Sequence, residues 1–341
     1  MTTPSKSKLP ASLDPDRLAA LLRGRAVRLR QKQVLLARFH GTEQELDVTS
    51  GINCDGYGRL HRYNTPSERW VPERVPEQPA ASRLGVSVRE TRIAQLFQNA
   101  ACDFRCWYCF VDRKSLAGRS ANARFMTTEE MIELYLRDGA PSPVIVLTGG
   151  QPDIVPEWTL WMMQTLQAFG LSDRSYLWQD DNLSCGYTWT CLAPAQRDYI
   201  RSYYNYGRCC CLKSFTREGF AETTAAPPEL FDRQFALLRK LVDWGVDVYV
   251  YLTMTVSSLT GLSRDMSTFV DRLRLEIHPN IPLRVVPLEI EQFTPTLGRI
   301  TPVRRRALDN QYIVLKEWLD QLQARFSSQE LEMPIHQVPL D

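Results

Sequence analysis

The chain has 341 residues, with 41 Lys plus Arg against 39 Asp plus Glu and a formal net charge of +2. A balance so near neutral gives no electrostatic warrant for a nucleic-acid or membrane-surface partner, and no stretch approaches the ~20 apolar residues of a membrane helix. Apolar residues make up 44% and charged residues 23%, which suits a globular protein of one large α/β domain or two modest ones. Met1–Pro10 is polar and lacks the apolar run of a signal peptide. Nine cysteines is an odd number. Together these features predict a cytoplasmic protein with reduced cysteines, available for metal binding, catalysis or packing.

In chain order, residues 1 to about 11 read as a disordered lead-in. Asp14-Pro15 then starts a helix, Asp14 as N-cap and Pro15 at the first helical position, with Leu18, Leu21 and Leu22 at helical spacing. Seven basic and no acidic residues lie between Arg17 and Arg38, a solvated helix face or a patch for an acidic partner. Val34–Phe39 reads as a strand. Residues 51–83 are rich in Gly, Pro and Arg without a sustained period, and 1–88 is expected to be an N-terminal extension. From 89 a repeating order begins: strand Ile93–Gln98, a capping box at Thr127–Glu130 ahead of an amphipathic helix, strand Val144–Leu147, and helix Pro156–Phe169. It continues through strand Ser175–Trp178, helix Pro194–Tyr203, strand Cys209–Leu212, and helix Pro227–Trp244 stopped by Gly245. Strand Val246–Val256, helix Ser263–Leu273, strand Leu283–Leu288 and helix Pro302–Phe326 complete it. Strands alternating with helices imply a parallel sheet with right-handed crossovers, in a core spanning 89–300 and followed by a C-terminal helix and tail over 301–341.

The chemistry centres on Cys102-Asp-Phe-Arg-Cys106-Trp-Tyr-Cys109. Thiolates suit an iron–sulfur cluster or zinc, and three cysteines that merely pack are the plainer alternative. A structural zinc site wants a second Cys or His pair at a set distance, and none follows within the usual span; the four histidines are widely separated. Further candidates sit just after strand ends: Thr148-Gly149-Gly150-Gln151-Pro152, Gln179-Asp180-Asp181-Asn182, and Cys211-Leu212-Lys213-Ser214. Glycines let a backbone approach a ligand, although Gly-Gly-X-Pro can be only a turn and Asp-Asp-Asn only an Asx turn. Cys209, Cys210 and Cys211 alternate faces on a strand and read mostly as core. Cys185 and Cys191 are conceivable ligands of a further cluster, and one cluster is the economical reading. The aromatics between Tyr187 and Tyr206 fit a half-buried surface or a substrate wall, Glu289 and Glu291 could bind a cationic substrate group, and Arg304-Arg305-Arg306 reads as solvated.

The three-cysteine loop, with Tyr108 before its last cysteine, resembles the CxxxCxxC hallmark of the radical S-adenosylmethionine (radical SAM) superfamily, and residues 148–152 are similar to that family's GGEP motif with Gln151 in place of Glu. Residues 180–182 and 211–213 are similar to segments of its glycyl-radical activating enzymes, although Cys211 stands where Asp is usual. The resemblance implies a partial (β/α)6 TIM-like barrel. It also implies a [4Fe–4S] cluster on Cys102, Cys106 and Cys109, and SAM contacts from Tyr108, Gly149, Gly150, Gln151, Pro152, Asp180, Asn182, Lys213 and Ser214. A 5′-deoxyadenosyl radical would then take a hydrogen atom from a peptide or protein substrate, with a flavodoxin or ferredoxin as electron donor. A small-molecule substrate, a nucleic-acid substrate, and a non-catalytic iron–sulfur carrier or sensor are the alternatives.

Overall fold

The computed structural model describes residues 14–47, 51–63 and 67–340; the expected lead-in lies outside them. The strands are β1 (Val27–Arg28), β2 (Gln33–Ala37), β3 (Ile52–Asn53), β4 (Gly58–Arg62), β5 (Ile93–Gln98), β6 (Ala123–Thr127), β7 (Val144–Thr148), β8 (Tyr176–Asp181), β9 (Tyr206–Leu212), β10 (Val248–Thr253) and β11 (Val285–Leu288). Eight of them form one sheet in the order β11-β10-β9-β8-β7-β5-β4-β3. From β5 through β11 the neighbours run parallel in sequence order. Such an order needs every crossover to return on the same side, since right-handed connections that never reverse direction stack their helices on one face. β4 and β3 extend the sheet antiparallel beyond β5. A second, small antiparallel sheet joins β1, β2 and β6.

The expected α/β core with six parallel strands is therefore present, inside a large mixed sheet. Closure into a barrel is not: among the described residues no ladder joins β11 to β3 or β4, because the edge of β5 is taken by β4. Strand boundaries also differ. The third parallel strand runs on to Asp181, so Gln179–Asp181 is strand rather than the loop after it.

Period-2 burial divides the core between the two faces of the sheet. Ile145, Leu147, Leu177, Cys210, Leu212, Val250 and Leu252 pack under the helices. Val144, Val146, Tyr176, Trp178, Cys209, Tyr249 and Tyr251 pack on the opposite face, where Tyr63, Val75 and Ala80 cover them. Gly207 makes room there, since a Cβ would stand 2.2 Å from the Tyr176 hydroxyl and 2.9 Å from the Trp178 ring.

The N-terminal segment is built into this core. β2 pairs with β6, Ala100 N–H donates to Leu35 O, and the segment from Ser67 to Glu73 crosses beside β10 and β11. Along that crossing Ser67 Oγ donates to Glu289 (2.9 Å), Trp70 Nε1 to Pro287 O (3.0 Å), and Tyr251 Oη to Glu73. Helix Glu77–Leu84 then lies over the face, ended by Gly85 in the left-handed region.

Trp70 anchors the crossing by burying its ring edge-on against Tyr312. Trp70→Ala is expected to lower unfolding free energy by about 3–5 kcal/mol, read as a reduced urea midpoint; an unchanged midpoint would mean that the crossing adds no stability.

Candidate functional site at the strand ends

Parallel strands in one sheet present their C-terminal ends along one edge, and there the predicted motifs gather. The cysteine loop leaves β5, the Gly-Gly turn leaves β7, Asp180–Asn182 ends β8, and Lys213 follows β9. Gly149 (φ +58°) and Gly150 (φ +63°) are both left-handed, a conformation costly for residues with a Cβ. A Cβ on Gly150 would also stand 2.3 Å from Ala101 O and 2.6 Å from Asn99 O. The turn thus lies directly against the backbone leading into the cysteines.

Buried hydrogen bonds lock the motifs together. Gln151 N–H donates to Ala101 O (2.7 Å), Asn99 Nδ2 donates to Gln151 O (3.0 Å), and Ala101 N–H donates to Asn99 Oδ1 (3.0 Å). The Gln151 amide donates through Nε2 to Asp181 Oδ1 (2.7 Å) and accepts the Asn182 N–H at Oε1 (2.9 Å). Asn182 Nδ2 in turn donates to Gly150 O (3.0 Å) and lies 3.7 Å from Cys102 Sγ. This geometry accounts for the amide at 151. Asp181 already shares Arg208 with Asp153, at 2.6 Å and 2.8 Å, and a carboxylate at 151 would put a third negative charge around one buried cation. Both backbone groups and both ends of the Gln151 side chain are used within the protein.

The three sulfurs share one loop but differ in exposure: Cys102 is buried, Cys106 and Cys109 half-buried. Burial pushes the Cys106 thiol up to about 12 and holds Cys102 and Cys109 above the ordinary thiol range, while the Lys213 ammonium pulls Cys106 and Cys109 back. Among the described residues, no group of three or more His, Cys, Asp or Glu converges on a single metal ion.

Lys213 is 7% exposed and sits among Cys211, Tyr108, Cys106 and Cys102. Among the described residues nothing accepts a hydrogen bond from its Nζ, and the Asp180 carboxylate lies within its electrostatic reach. An anionic group held by the neighbouring thiolates would be a further counter-charge for it, and the Asn182 amide offers an N–H to one of its sulfurs. The donor set therefore fits an iron–sulfur cluster, whose potential responds to such hydrogen bonds.

Tyr108 hydrogen-bonds Thr253 Oγ1 (2.8 Å) through its hydroxyl, tying the loop to β10. Asp180 accepts from Thr148 Oγ1 and Trp178 Nε1, and burial raises its carboxyl to about 6. Pro152 is buried and opens the short turn that carries Asp153. Ser214 does not join the others: it is fully buried on the helix side, where a Cβ on Gly219 would meet its Oγ at 2.2 Å.

Other candidates sort plainly. Cys209 is buried on the open face of the sheet, Cys210 under the helices, and Cys211 half-buried beside Cys209. Glu289 accepts from Ser67 and Tyr312. Of the aromatics, Tyr206 is buried and bonds Gln179, while Trp189 packs edge-on against Trp244 and Tyr199 bonds Gln167 on a half-buried surface. A groove of about 840 Å³ lies between the helices beside Phe215, Val256 and Phe269, and shares no residue with the strand-end site.

Two contributors escaped the sequence reading. Gln234 Nε2 donates to both Asn182 O (2.7 Å) and Cys211 O (2.8 Å), fastening the ends of β8 and β9. A glutamine at a core-facing position, three after Phe231 and four after Leu230, was the available signal. Glu73 lies on the open face beside Tyr251, and burial raises its carboxyl to about 7; nothing in the sequence of that segment marks it.

Two outcomes follow from these charges. Gln151→Glu is expected to cost roughly 3 kcal/mol of stability near pH 7.5, shrinking toward pH 4.5, where the new carboxyl is protonated and donates to Asp181. Urea midpoints at the two pH values test it. For Glu73 the folded value lies above the ordinary 4.5, so its contribution to stability is complete below that value and is lost as pH rises to about 7. Glu73→Gln should remove that component, and parallel pH–stability curves for wild type and variant would refute it.

The sequence matches no known protein family and no curated protein. Among solved structures it is similar to Streptococcus suis SuiB bound to S-adenosylmethionine, at 14% identity and a TM-score of 0.45, covering 68% of this chain and 48% of that one. It is also similar to SuiB bound to the precursor peptide SuiA, at 14% identity and a TM-score of 0.37, covering 53% and 36%. The matched part spans less than half the length of these SuiB chains.

Proposed function

We propose that this chain is a radical SAM enzyme acting on a peptide or protein substrate. The observation that carries the reading is the meeting of the three-cysteine loop, the left-handed Gly149-Gly150 turn, Asn182 and the buried Lys213 at one end of a parallel sheet. When bound, a [4Fe–4S] cluster and SAM would supply a one-electron cleavage of the sulfonium, releasing methionine and a 5′-deoxyadenosyl radical that takes a hydrogen atom from substrate.

Each residue has a physical task in this reading. Cys102, Cys106 and Cys109 would hold the cluster as thiolates. Lys213 balances the charge of that group, and the Asn182 amide bonds one sulfur. The Gly149-Gly150 backbone would offer polar groups to the SAM amino group. Pro152 fixes the exit of that turn, and Asp180, oriented by Thr148 and Trp178, would accept from a ribose hydroxyl. Tyr108, pinned by Thr253, closes one side of the loop against water. The peptide or protein substrate rests on the likeness of residues 180–182 and 211–213 to the activating enzymes. A flavodoxin- or ferredoxin-type protein supplies the electron.

Anaerobic reconstitution with iron and sulfide, dithionite reduction and quantification of 5′-deoxyadenosine test the assignment. The wild type is expected to form a brown cluster and produce 5′-deoxyadenosine from SAM, and Cys106→Ala to lose both. A cluster without any SAM cleavage, with and without candidate peptides, favours a redox carrier or sensor. Zinc in place of a cluster overturns the reading.

A further inference from the structure

Four arginines gather on the outer surface of the cysteine loop. Arg299, which follows β11, donates from Nη1 to Cys109 O (2.9 Å) and from Nη2 to Val111 O (3.4 Å). Arg304 donates to Arg299 O (2.6 Å) and lays its guanidinium over the Trp107 ring at 5.8 Å. Arg105 donates to Cys102 O (2.6 Å) and Phe104 O (3.0 Å). Arg113 is exposed beside them.

Among the described residues, none of the four forms an ion pair with a carboxylate. The acidic side chain nearest in sequence, Asp112, is taken up by Lys114 N–H (2.8 Å), Ser115 N–H (3.0 Å) and Ser115 Oγ (2.6 Å). Partial burial lowers the guanidinium values of Arg113 and Arg304, and repulsion from neighbouring arginines lowers them further. Like charges held together in this way, in a chain of net charge only +2, create a local positive field in search of a counter-charge. This also revises the reading of 304–306: Arg305 and Arg306 are exposed, whereas Arg304 is half-buried against Trp107.

We propose that this face is the docking surface of an acidic electron-transfer protein, seated on Arg113, Arg299 and Arg304 at the Cys109 end of the loop. The proposal rests on the cluster reading above and adds to it the place of electron entry. One electron leaves the reduced flavin or iron–sulfur centre of the partner and one enters the group held by the thiolates; no bond or proton is exchanged. Arg299 and Arg105 touch the carbonyls of two cluster cysteines, so a partner bound there is separated from the ligands by single side chains. The face also exposes apolar side chains, Leu297 at 60% and Val303 at 45%. Apolar contact ringed by arginine suits a protein surface better than a phosphate backbone.

The test uses a strongly acidic flavodoxin and the double variant Arg113→Glu with Arg304→Glu. Arg217→Glu with Arg264→Glu, an equal charge change at side chains 58% and 80% exposed on the separate groove, is the control. Flavodoxin binding is measured in low and high salt, and 5′-deoxyadenosine is measured with flavodoxin and with dithionite as reductant. Flavodoxin binding and flavodoxin-driven turnover should fall about tenfold or more in the double variant, with dithionite-driven turnover and the control unchanged. Equal losses with both reductants, unaltered binding, or tighter retention of a single-stranded RNA than of flavodoxin would overturn the proposal. If the wild type cleaves no SAM with either reductant, the enzyme reading fails and binding alone decides this one. Salt-sensitive binding lost on charge reversal supports the docking face, and binding indifferent to it overturns it.

Discussion

A single buried cation organises the strand ends. Arg208 is 3% exposed and bonds Asp181 on the neighbouring strand, and Asp153 and Thr188 from the loops beyond. Two carboxylates on one guanidinium leave a negative residue of charge, and the Gln151 amide, the Leu183 N–H and the Thr188 hydroxyl absorb it with hydrogen bonds. Because unpaired buried charge is so costly, each member fixes the position of the others. The Gly-Gly turn is held by this network on one side and by the cysteine-loop backbone on the other. Site geometry here is inherited from an ion pair that reaches the Gly-Gly turn through the Gln151 amide.

Alternation on the strands then divides labour between adjacent residues. Asp181 points to the helices and stabilises; Asp180 points the other way and stays available. Ser214 faces the helices, while Lys213 stands among thiols. Cys209 and Cys210 are parted in the same way. Runs such as Asp180-Asp181 or Cys209-Cys210-Cys211 therefore do not act as units, and proximity in sequence is a poor guide to shared chemistry on a strand.

Much of this was legible beforehand. The parallel strands announced themselves as short apolar runs between capped helices, and the cysteine spacing and paired glycines carry their own physical signatures. What could not be read was long-range. β4 has a Gly, two Arg and one His among its five residues, a composition without strand character, and it pairs only because β5 offers an edge. The crossing from Ser67 to Glu73 has no periodicity, since it is held by single hydrogen bonds to β10 and β11 rather than by a face of its own. The burial of Ser214 on the helix side and the full engagement of Gln151 could not be read either, because side-chain direction and hydrogen-bond saturation are properties of neighbours, not of spacing.

That crossing also sets an order of events during synthesis. Its partners stand very far along the chain: Ser67 and Glu289 are 222 residues apart, and Trp70 and Pro287 are 217 apart. Contacts this distant close late, because the loop entropy must be overcome before they are rewarded. While the ribosome is still making β9, the aromatic face of Tyr176 and Trp178 has no cover, and the segment that will cover it has already emerged with nothing to fasten to. The growing chain thus carries its apolar face unprotected until the last strands are complete, the interval in which association with other chains competes with folding.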